Sequence, residues 1–489
     1  MLANRLVEIF QSRSLYIDSK NLDGVSVSGT SANSKSTSKG DAFIAYKGVN
    51  HDLHDFVGDA FAHGASLAIV EQRQAFDSLS GPAILVENAR AAWAYAASAL
   101  EGNPQDHLTM IAVTGTNGKT SSVWYLGELC RLCQVDHATV GTLGLGINGE
   151  LIPSPHTTPD PDKLYGFLSR ARRSGCRYVF METSSIAFEQ MKLLPINFQG
   201  GIWTSFSQDH LDYHGDMGAY FNAKAKIFGH IDPNIHPFYI CSSVTPPKGA
   251  DDLPSGLLRY GGDGEASGYS YKIEHTSPGA MRASFHLGEK TLRVNLGFSG
   301  SHLAENLLAT LALLQSLGIE PSAETIAKLP PVPGRLEPVD TKKDFFLFVD
   351  YAHTPDALEK TLANLTKMPH NKILVVFGCG GNRDEKKRPI MGKIAAAQAD
   401  QIWITNDNPR NEDPRLIADQ IASGCSDKAK LHIILDRREA IASAIKAAQR
   451  GDLILIAGKG HENYQIIGSE TLEFSDVDMA KELLKENQH

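Results

Sequence analysis

The stretch Met110-Ile111-Ala112-Val113-Thr114-Gly115-Thr116-Asn117-Gly118-Lys119-Thr120 runs from an apolar strand into a glycine loop and on into a helical pattern carrying Val123, Leu126 and Cys130. That order predicts an α/β fold in which loop amides and a helix N-terminus cradle phosphate. Lys119 is suited to neutralise the β- and γ-phosphates of ATP, and the Thr120 hydroxyl to reach Mg²⁺. A mere glycine turn explains Gly115 and Gly118 but not the Lys-Thr pair. The general phosphate loop begins with glycine at position 113, which is valine here, so this is a shortened variant.

Working outward, Gly102-Asn103-Pro104 and Pro330-Pro331-Val332-Pro333-Gly334 break the pattern and divide the chain into 1–104, 105–330 and 331–489. The first part holds a Ser/Thr-rich stretch at 28–40, short strands at 42–46 and 67–70, and an alanine-rich helix at 91–100. The last part has the clearest rhythm. Apolar runs at 373–377, 401–405, 431–435 and 453–457 alternate with helical patterns at 390–399 and 439–449. The fold class expected is therefore three α/β domains, with a central P-loop ATPase domain and a C-terminal Rossmann-like, doubly wound parallel sheet. Ligands of such sheets bind beyond the carboxyl ends of the strands. There the sequence offers 378–383, 406–410, Asp436-Arg437-Arg438 and 458–462 as a binding rim.

The 489 residues carry a net charge of −9, with 42% hydrophobic and 21% charged residues. This composition excludes a disordered or fibrous chain and gives no basic excess for nucleic acid or an anionic membrane. Six cysteines are too few for a disulfide framework in a chain of this length, and no apolar stretch reaches a membrane span or a signal peptide. A cytoplasmic protein is expected. Cys130 and Cys133 fall at helical spacing with Val123 and Leu126, so packing is favoured over redox or zinc chemistry.

Two further patterns point to chemistry. Glu182 ends a second apolar run, where a carboxylate suits Mg²⁺ or its water. Asp209-His210-Leu211-Asp212-Tyr213-His214-Gly215 gathers acids and imidazoles, although a polar loop with one capping aspartate would read similarly.

GTNGKT at 115–120, METSS at 181–185, DHLDYHG at 209–215, VPGRLE at 332–337, VDYAHTPDALE at 349–359, FGCGGNRDEKKRP at 377–389, DNPRNEDPR at 407–415 and AGKGHENYQ at 457–465 occur in this order. Together they resemble the Mur ligases of peptidoglycan synthesis, over nearly the whole chain. The resemblance implies a uridine-nucleotide domain at 1–104, an ATP-binding ligase domain at 105–330 and an amino-acid-receiving domain at 331–489. It further implies a cytoplasmic, monomeric enzyme of cell-wall formation, and hence of cell shape and division. Its substrates would be UDP-N-acetylmuramoyl-L-alanyl-D-glutamate, meso-diaminopimelate and ATP, with neither nucleic acid nor membrane as partner. ATP would phosphorylate the D-Glu carboxylate, and the incoming amine would attack the acyl phosphate, leaving ADP, phosphate and an amide.

By the same resemblance Lys119, Glu182, His210 and Lys224 are the catalytic positions. Gly115, Thr116, Asn117, Gly118, Lys119, Thr120, Asn306, Arg335 and Asp350 bind ATP, and His353 lies in a hinge motif. Thr120, Glu182, His210 and Lys224 hold Mg²⁺, with Lys224 carbamylated by CO₂ into an anionic ligand. Residue types alone would make 223–226 a solvated helix face. Ser34, His54, Thr157, Thr158, Ser184, Gln190 and Lys192 meet the uridine-linked dipeptide. Arg383, Asp407, Asn408, Arg410, Gly458 and Glu462 meet diaminopimelate, whose far carboxylate suits the planar fork of Arg410. The simpler alternative is that Arg410 pairs with Glu412 or Asp413 in an exposed loop.

Four departures fall at binding edges: Asn33-Ser34-Lys35 for the family's Asp-Ser-Arg, Ile186 for a histidine, Leu303 for an asparagine and Lys192 for an arginine. None removes a phosphate or magnesium residue. Competing readings are an L-lysine-adding homologue, a folylpolyglutamate or cyanophycin-type synthetase, and a degenerate ATP-binding scaffold. Ser34, 40–43 and 48–56 resemble the uridine domain and oppose the synthetases; intact Lys119, Glu182, His210 and Lys224 oppose the scaffold.

Overall fold

The structure is a computed structural model that describes residues 1–48, 51–231, 237–264 and 268–486; positions 49 and 50 of the 48–56 stretch lie outside the described residues. Three large sheets follow one another along the described chain, and a two-stranded hairpin of Tyr464–Ile467 and Glu470–Glu473 follows the third. The first has five strands in the order Tyr16–Lys20, Ala83–Val86, Leu67–Val70, Asp41–Ala45 and Gly29–Ser31, parallel except for the first. Leu67–Val70 and Ala83–Val86 are buried at every position, as an apolar run in a covered parallel sheet requires. The alanine-rich helix spans Ala89–Leu100 and starts where Asn88 accepts a hydrogen bond from the Ala91 N–H.

The second sheet has eleven strands and places Thr109–Thr114 between Gly200–Trp203 and Tyr178–Glu182, all parallel. The helix Lys119–Leu132 leaves directly from the glycine loop. One edge ends in an antiparallel meander of Tyr269–Ser277, Ala280–Leu287 and Lys290–Leu296. The outward faces of these strands alternate with buried positions, so the meander covers the core on one side only.

The third sheet has the order Glu337–Val339, Phe346–Asp350, Leu453–Ala457, Ile373–Phe377, Gln401–Ile404 and Leu431–Ile433, with only the first strand antiparallel. It is covered on both faces. Leu374, Val376, Ile454 and Ile456 pack with Ala440, Ile441, Leu483 and Leu484. Their neighbours Val375, Phe377, Leu453 and Leu455 point the other way, into the core containing Leu358, Leu362, Met391 and Ala395. The period of two within continuous apolar runs gives the doubly wound sheet expected from the sequence.

Two local expectations are corrected. The helix read at 390–399 begins earlier, at Lys387, because Pro389 in a first turn removes no intrahelical hydrogen bond. Asp436-Arg437-Arg438 is not part of a binding rim. Asp436 caps the helix Arg437–Ala447 by accepting from the Glu439 N–H at 2.8 Å, which draws both arginines into the first turn. Arg437 is fully buried and pairs through Nε and Nη2 with Asp476 at 2.7 Å, while Arg438 pairs with Glu482 and Glu486. Removing one partner of so buried a pair would cost roughly 3–5 kcal/mol. Among the described residues no helix is long and apolar enough to cross a membrane.

Candidate active site

The phosphate loop is a main-chain construction. Gly115 and Gly118 have φ of +143° and +91°. A Cβ on Gly115 would lie 2.1 Å from Thr204 Oγ1, and one on Gly118 would lie 2.5 Å from Asn306 Oδ1. Both conformation and space therefore demand glycine. Asn306 is thereby placed against the loop. Thr116 is held by Ser207, since its Oγ1 donates to the Ser207 carbonyl at 3.1 Å. Asn117 is gripped from farther away: its Nδ2 donates to Asp356 Oδ2 at 2.9 Å, and Ser207 Oγ donates to the same oxygen at 2.9 Å.

Thr120 and Glu182 meet beneath this loop. Thr120 Oγ1 donates to Glu182 Oε2 at 3.1 Å, and the Thr142 N–H donates to Glu182 Oε1 at 2.8 Å. A hydroxyl beside a carboxylate supplies the hard oxygen donors that Mg²⁺ prefers. Among the described residues no group of three or more His, Cys, Asp or Glu side chains forms a metal cage. Two protein oxygens completed by phosphate and water are the usual Mg²⁺ arrangement, so the donors present fit the ion.

Lys119 Nζ donates to the Gly115 and Thr116 carbonyls at 2.8 and 2.9 Å. Lys224 Nζ donates to the same Gly115 carbonyl at 2.8 Å, from a side chain only 1% exposed and stacked on the Tyr220 ring. Lys224 is thus not on the solvated helix face that its neighbours suggested. Burial pushes its amine well below the usual lysine range, and the charge on Lys119 pushes the same way. Burial also lowers Lys119, against the opposing attraction of Glu182. His210, in a left-handed conformation at φ 53°, stands beside Asp209 with Nε2 3.5 Å from its carboxylate. His214 Nε2 meets Ser185 Oγ at 2.9 Å; of Asp212 only the backbone is described.

The third sheet closes on this loop. Arg335 Nη2 donates to Thr120 Oγ1 at 3.3 Å, and its guanidinium lies 4.5 Å from the centre of the Tyr351 ring. Asp350 is buried and accepts from the Leu336 and Ala352 amides at 2.6 and 2.8 Å. Burial raises its carboxyl, and Arg335 opposes the rise. His353 Nδ1 donates to the Tyr351 carbonyl at 2.8 Å. A Cβ on Gly334 would fall 2.2 Å from the His461 amide nitrogen, so the two loops touch backbone to backbone.

Beyond the carboxyl ends of the same sheet, three segments form a rim. Asp407 and Asn408 follow Gln401–Ile404; Asn408 Nδ2 donates to Glu462 Oε2 at 3.0 Å. Gly458 has φ +116°, and a Cβ there would lie 2.5 Å from Asp407 Oδ2. Arg383 is exposed at the mouth. Arg410 does not pair with Glu412 or Asp413: its Nη1 donates to the Gly381 and Asn408 carbonyls at 2.9 and 3.4 Å. Glu412 instead pairs with buried Arg388 at 2.9 Å, and Asp413 caps the helix Pro414–Ser423. Among the described residues Arg410 has no carboxylate partner. Lys459, inside the 458–462 stretch but given no role of its own from the sequence, is fully buried with Nζ 3.3 Å from both Asn408 Oδ1 and Glu462 Oε2. A lysine between two glycines at a strand end was the available signal.

A cleft of ≈ 730 Å³ opens between the first and second sheets, lined among others by Ser31, Asn33, Tyr46, Trp93, Leu145 and Asp160. Lys192 reaches its edge and pairs with Asp160 at 2.8 Å. Ser34 begins the short helix Ser34–Ser36 beside the cleft. Thr157 Oγ1 lies 3.1 Å from Thr142 Oγ1, and Thr158 Oγ1 donates to the Glu182 carbonyl at 3.1 Å, so these two link the cleft to the Thr120–Glu182 pair. Ser184 caps the helix Ser185–Glu189, which ends beside Gln190. His54 is not brought to the cleft lining. Its Nε2 accepts from the Glu71 N–H at 3.2 Å, which leaves Nδ1 to donate to Asp52 at 2.5 Å. Ile186 is partly buried and Leu303 is fully buried within the helix Ser301–Ser316.

Comparison with known proteins agrees with this layout. Residues 113–314 match the Mur ligase middle domain, and residues 334–460 match the Mur ligase glutamate ligase domain. The UDP-N-acetylmuramoyl-L-alanyl-D-glutamate–2,6-diaminopimelate ligase of Syntrophomonas wolfei is 34% identical over 487 residues, covering 98% of this chain and 99% of the relative. The ligase of that name from Aquifex aeolicus is 37% identical over 460 residues, 94% of each chain. A solved structure of a ligase so named has a TM-score of 0.65 at 30% identity, covering 98% and 99% of the two chains. The MurF ligase of Thermotoga maritima in complex with ADP, 19% identical over 94% and 97% of the chains with a TM-score of 0.62, shares the fold. With the phosphate loop and all of the rim but its last residues inside matched regions, and full-length relatives above 30% identity, the chain belongs to the Mur ligase family.

Proposed function

We propose that this ligase joins meso-diaminopimelate to UDP-N-acetylmuramoyl-L-alanyl-D-glutamate at the expense of ATP. The γ-phosphoryl group passes to the D-Glu carboxylate, ADP leaves, the amine attacks the acyl carbonyl and phosphate departs as the amide forms. A carboxylate is a poor electrophile, so activation precedes attack, and the chain's task is to position the groups and spread charge. Loop amides and Lys119 hold the phosphates. Mg²⁺, held by Thr120 and Glu182, would neutralise the β- and γ-oxygens. Arg335 and Asp350 hold the ribose side, and Asn306 the adenine side.

Lys224 belongs to this machinery as a carbamate. Its neutral amine adds to CO₂ to give R–NH–COO⁻ and a proton, so that the side chain, together with His210, would supply anionic and imidazole ligands to a second Mg²⁺. The buried amine, already driven toward its neutral form, supports that step. The uridine-linked substrate enters by the 730 Å³ cleft, with Lys192 at its edge. The reading places the reaction in the cytoplasm and in a single chain, with domains bounded at 104 and 330.

The observation that carries the amino-acid assignment is Arg410, a guanidinium at the strand-end rim without a carboxylate partner among the described residues, on the same rim as Glu462. It offers diaminopimelate's far carboxylate the anion site that lysine leaves empty. Phosphate release tests the reading: release that requires ATP, the uridine-linked dipeptide and the diamino acid together is expected. Release from ATP alone at the same rate would reject a ligase and favour the scaffold.

A further inference from the structure

Lys459 has no exposed surface and lies at the end of the strand Leu453–Ala457, between two glycines. A buried ammonium persists only where anions or acceptors compensate its lost hydration. Here the compensation comes from Glu462 Oε2 and Asn408 Oδ1, both at 3.3 Å, with the Tyr464 ring 5.4 Å away. Asn408 Nδ2 donates to the same Glu462 oxygen at 3.0 Å. Glu462 is therefore already paired, through Oε2, before any substrate arrives.

The surrounding charges give this a direction. Within the three rim segments Arg383, Arg410 and Lys459 are three cations against the two carboxylates of Asp407 and Glu462, while the flanking Arg388–Glu412 and Arg437–Asp476 pairs are each neutral overall. The far end of meso-diaminopimelate carries a carboxylate and an ammonium and is neutral overall, whereas the far end of lysine carries an ammonium alone. A rim with one cation in excess accepts the neutral pair and repels the lone cation.

We propose that Lys459 is a specificity-determining residue: its Nζ, held on Glu462 and Asn408, denies Glu462 to a lone ammonium and so turns the rim against lysine. This rests on the assignment of the rim to the diamino acid made above. Lys459 acts through Glu462 and is a positioning residue. A purely structural lysine would, when replaced, weaken both amino acids together; a charge filter would shift their ratio.

The test measures kcat/KM for meso-diaminopimelate and for L-lysine in the full-length protein, with KM for ATP alongside. Lys459→Met keeps the length and apolar stem but removes the charge, and Lys459→Arg keeps the charge. The preference for diaminopimelate over lysine is expected to fall about tenfold or more in Lys459→Met, through a lower KM for lysine, with KM for ATP unchanged, and to survive in Lys459→Arg. An unchanged ratio in a folded Lys459→Met protein overturns the proposal. Should that variant fail to fold, Glu462→Gln reads the same balance from the other side: it widens the cationic excess and must strengthen the preference, and an unchanged or weaker preference there also overturns it. Wild-type protein that ligates neither amino acid would remove the functional reading and this inference together, a result distinct from a wild-type preference that Lys459 does not control.

Discussion

The phosphate loop and the amino-acid rim both lie at the carboxyl ends of parallel strands, yet they are built in opposite ways. The loop is six consecutive residues whose shape is set by main-chain angles at Gly115 and Gly118, and its ligand-facing groups are mostly amides. The rim is assembled from three segments, at 378–383, 407–410 and 458–462, and its character resides in charged side chains, Lys459 held on Glu462 and Arg410 on main-chain carbonyls. Main-chain amides meet phosphate through backbone shape, whereas a site made of charged side chains can be retuned by one substitution. A ligase family that keeps its activation chemistry while changing its amino acid needs this division, with Arg335 on Thr120 and Asp356 on Asn117 joining the two parts.

The largest expected effect lies at the loop. Lys119→Ala removes the charge facing the phosphates, and kcat should fall by roughly three orders of magnitude with either diamino acid. Steady-state turnover checks this, and near-normal kcat would break the comparison at its stronger end. A smaller and more selective effect belongs to the rim. Arg410→Ala should lower kcat/KM for diaminopimelate by about a hundredfold while KM for ATP stays within about twofold. Equal losses for ATP and amino acid would show that the regions are not separable.

The contrast also explains what the sequence discloses. Ile373–Phe377, Leu453–Ala457 and Thr109–Thr114 are legible because buried parallel strands must be apolar throughout. The meander at 269–296 escapes such reading, since Lys272, Arg282 and Arg293 on its outer face interrupt the apolar runs. The loop is legible because its glycines are adjacent in the chain. Lys459 with Asn408, 51 positions away, and Asp356 with Asn117, 239 positions away, meet only through the fold. Arg437 misleads for the same reason: its partner Asp476 is 39 residues on, and nothing near Arg437 marks it as buried.

The central claim is that one rim, cationic by a single charge and crowned by Arg410, selects a diamino acid with a far carboxylate. Wild-type protein supplied with ATP, Mg²⁺, bicarbonate and UDP-N-acetylmuramoyl-L-alanyl-D-glutamate, and with meso-diaminopimelate and L-lysine at equal concentration, should yield the diaminopimelate adduct almost alone when the products are weighed by mass spectrometry. A lysine adduct in equal or greater amount would contradict the account.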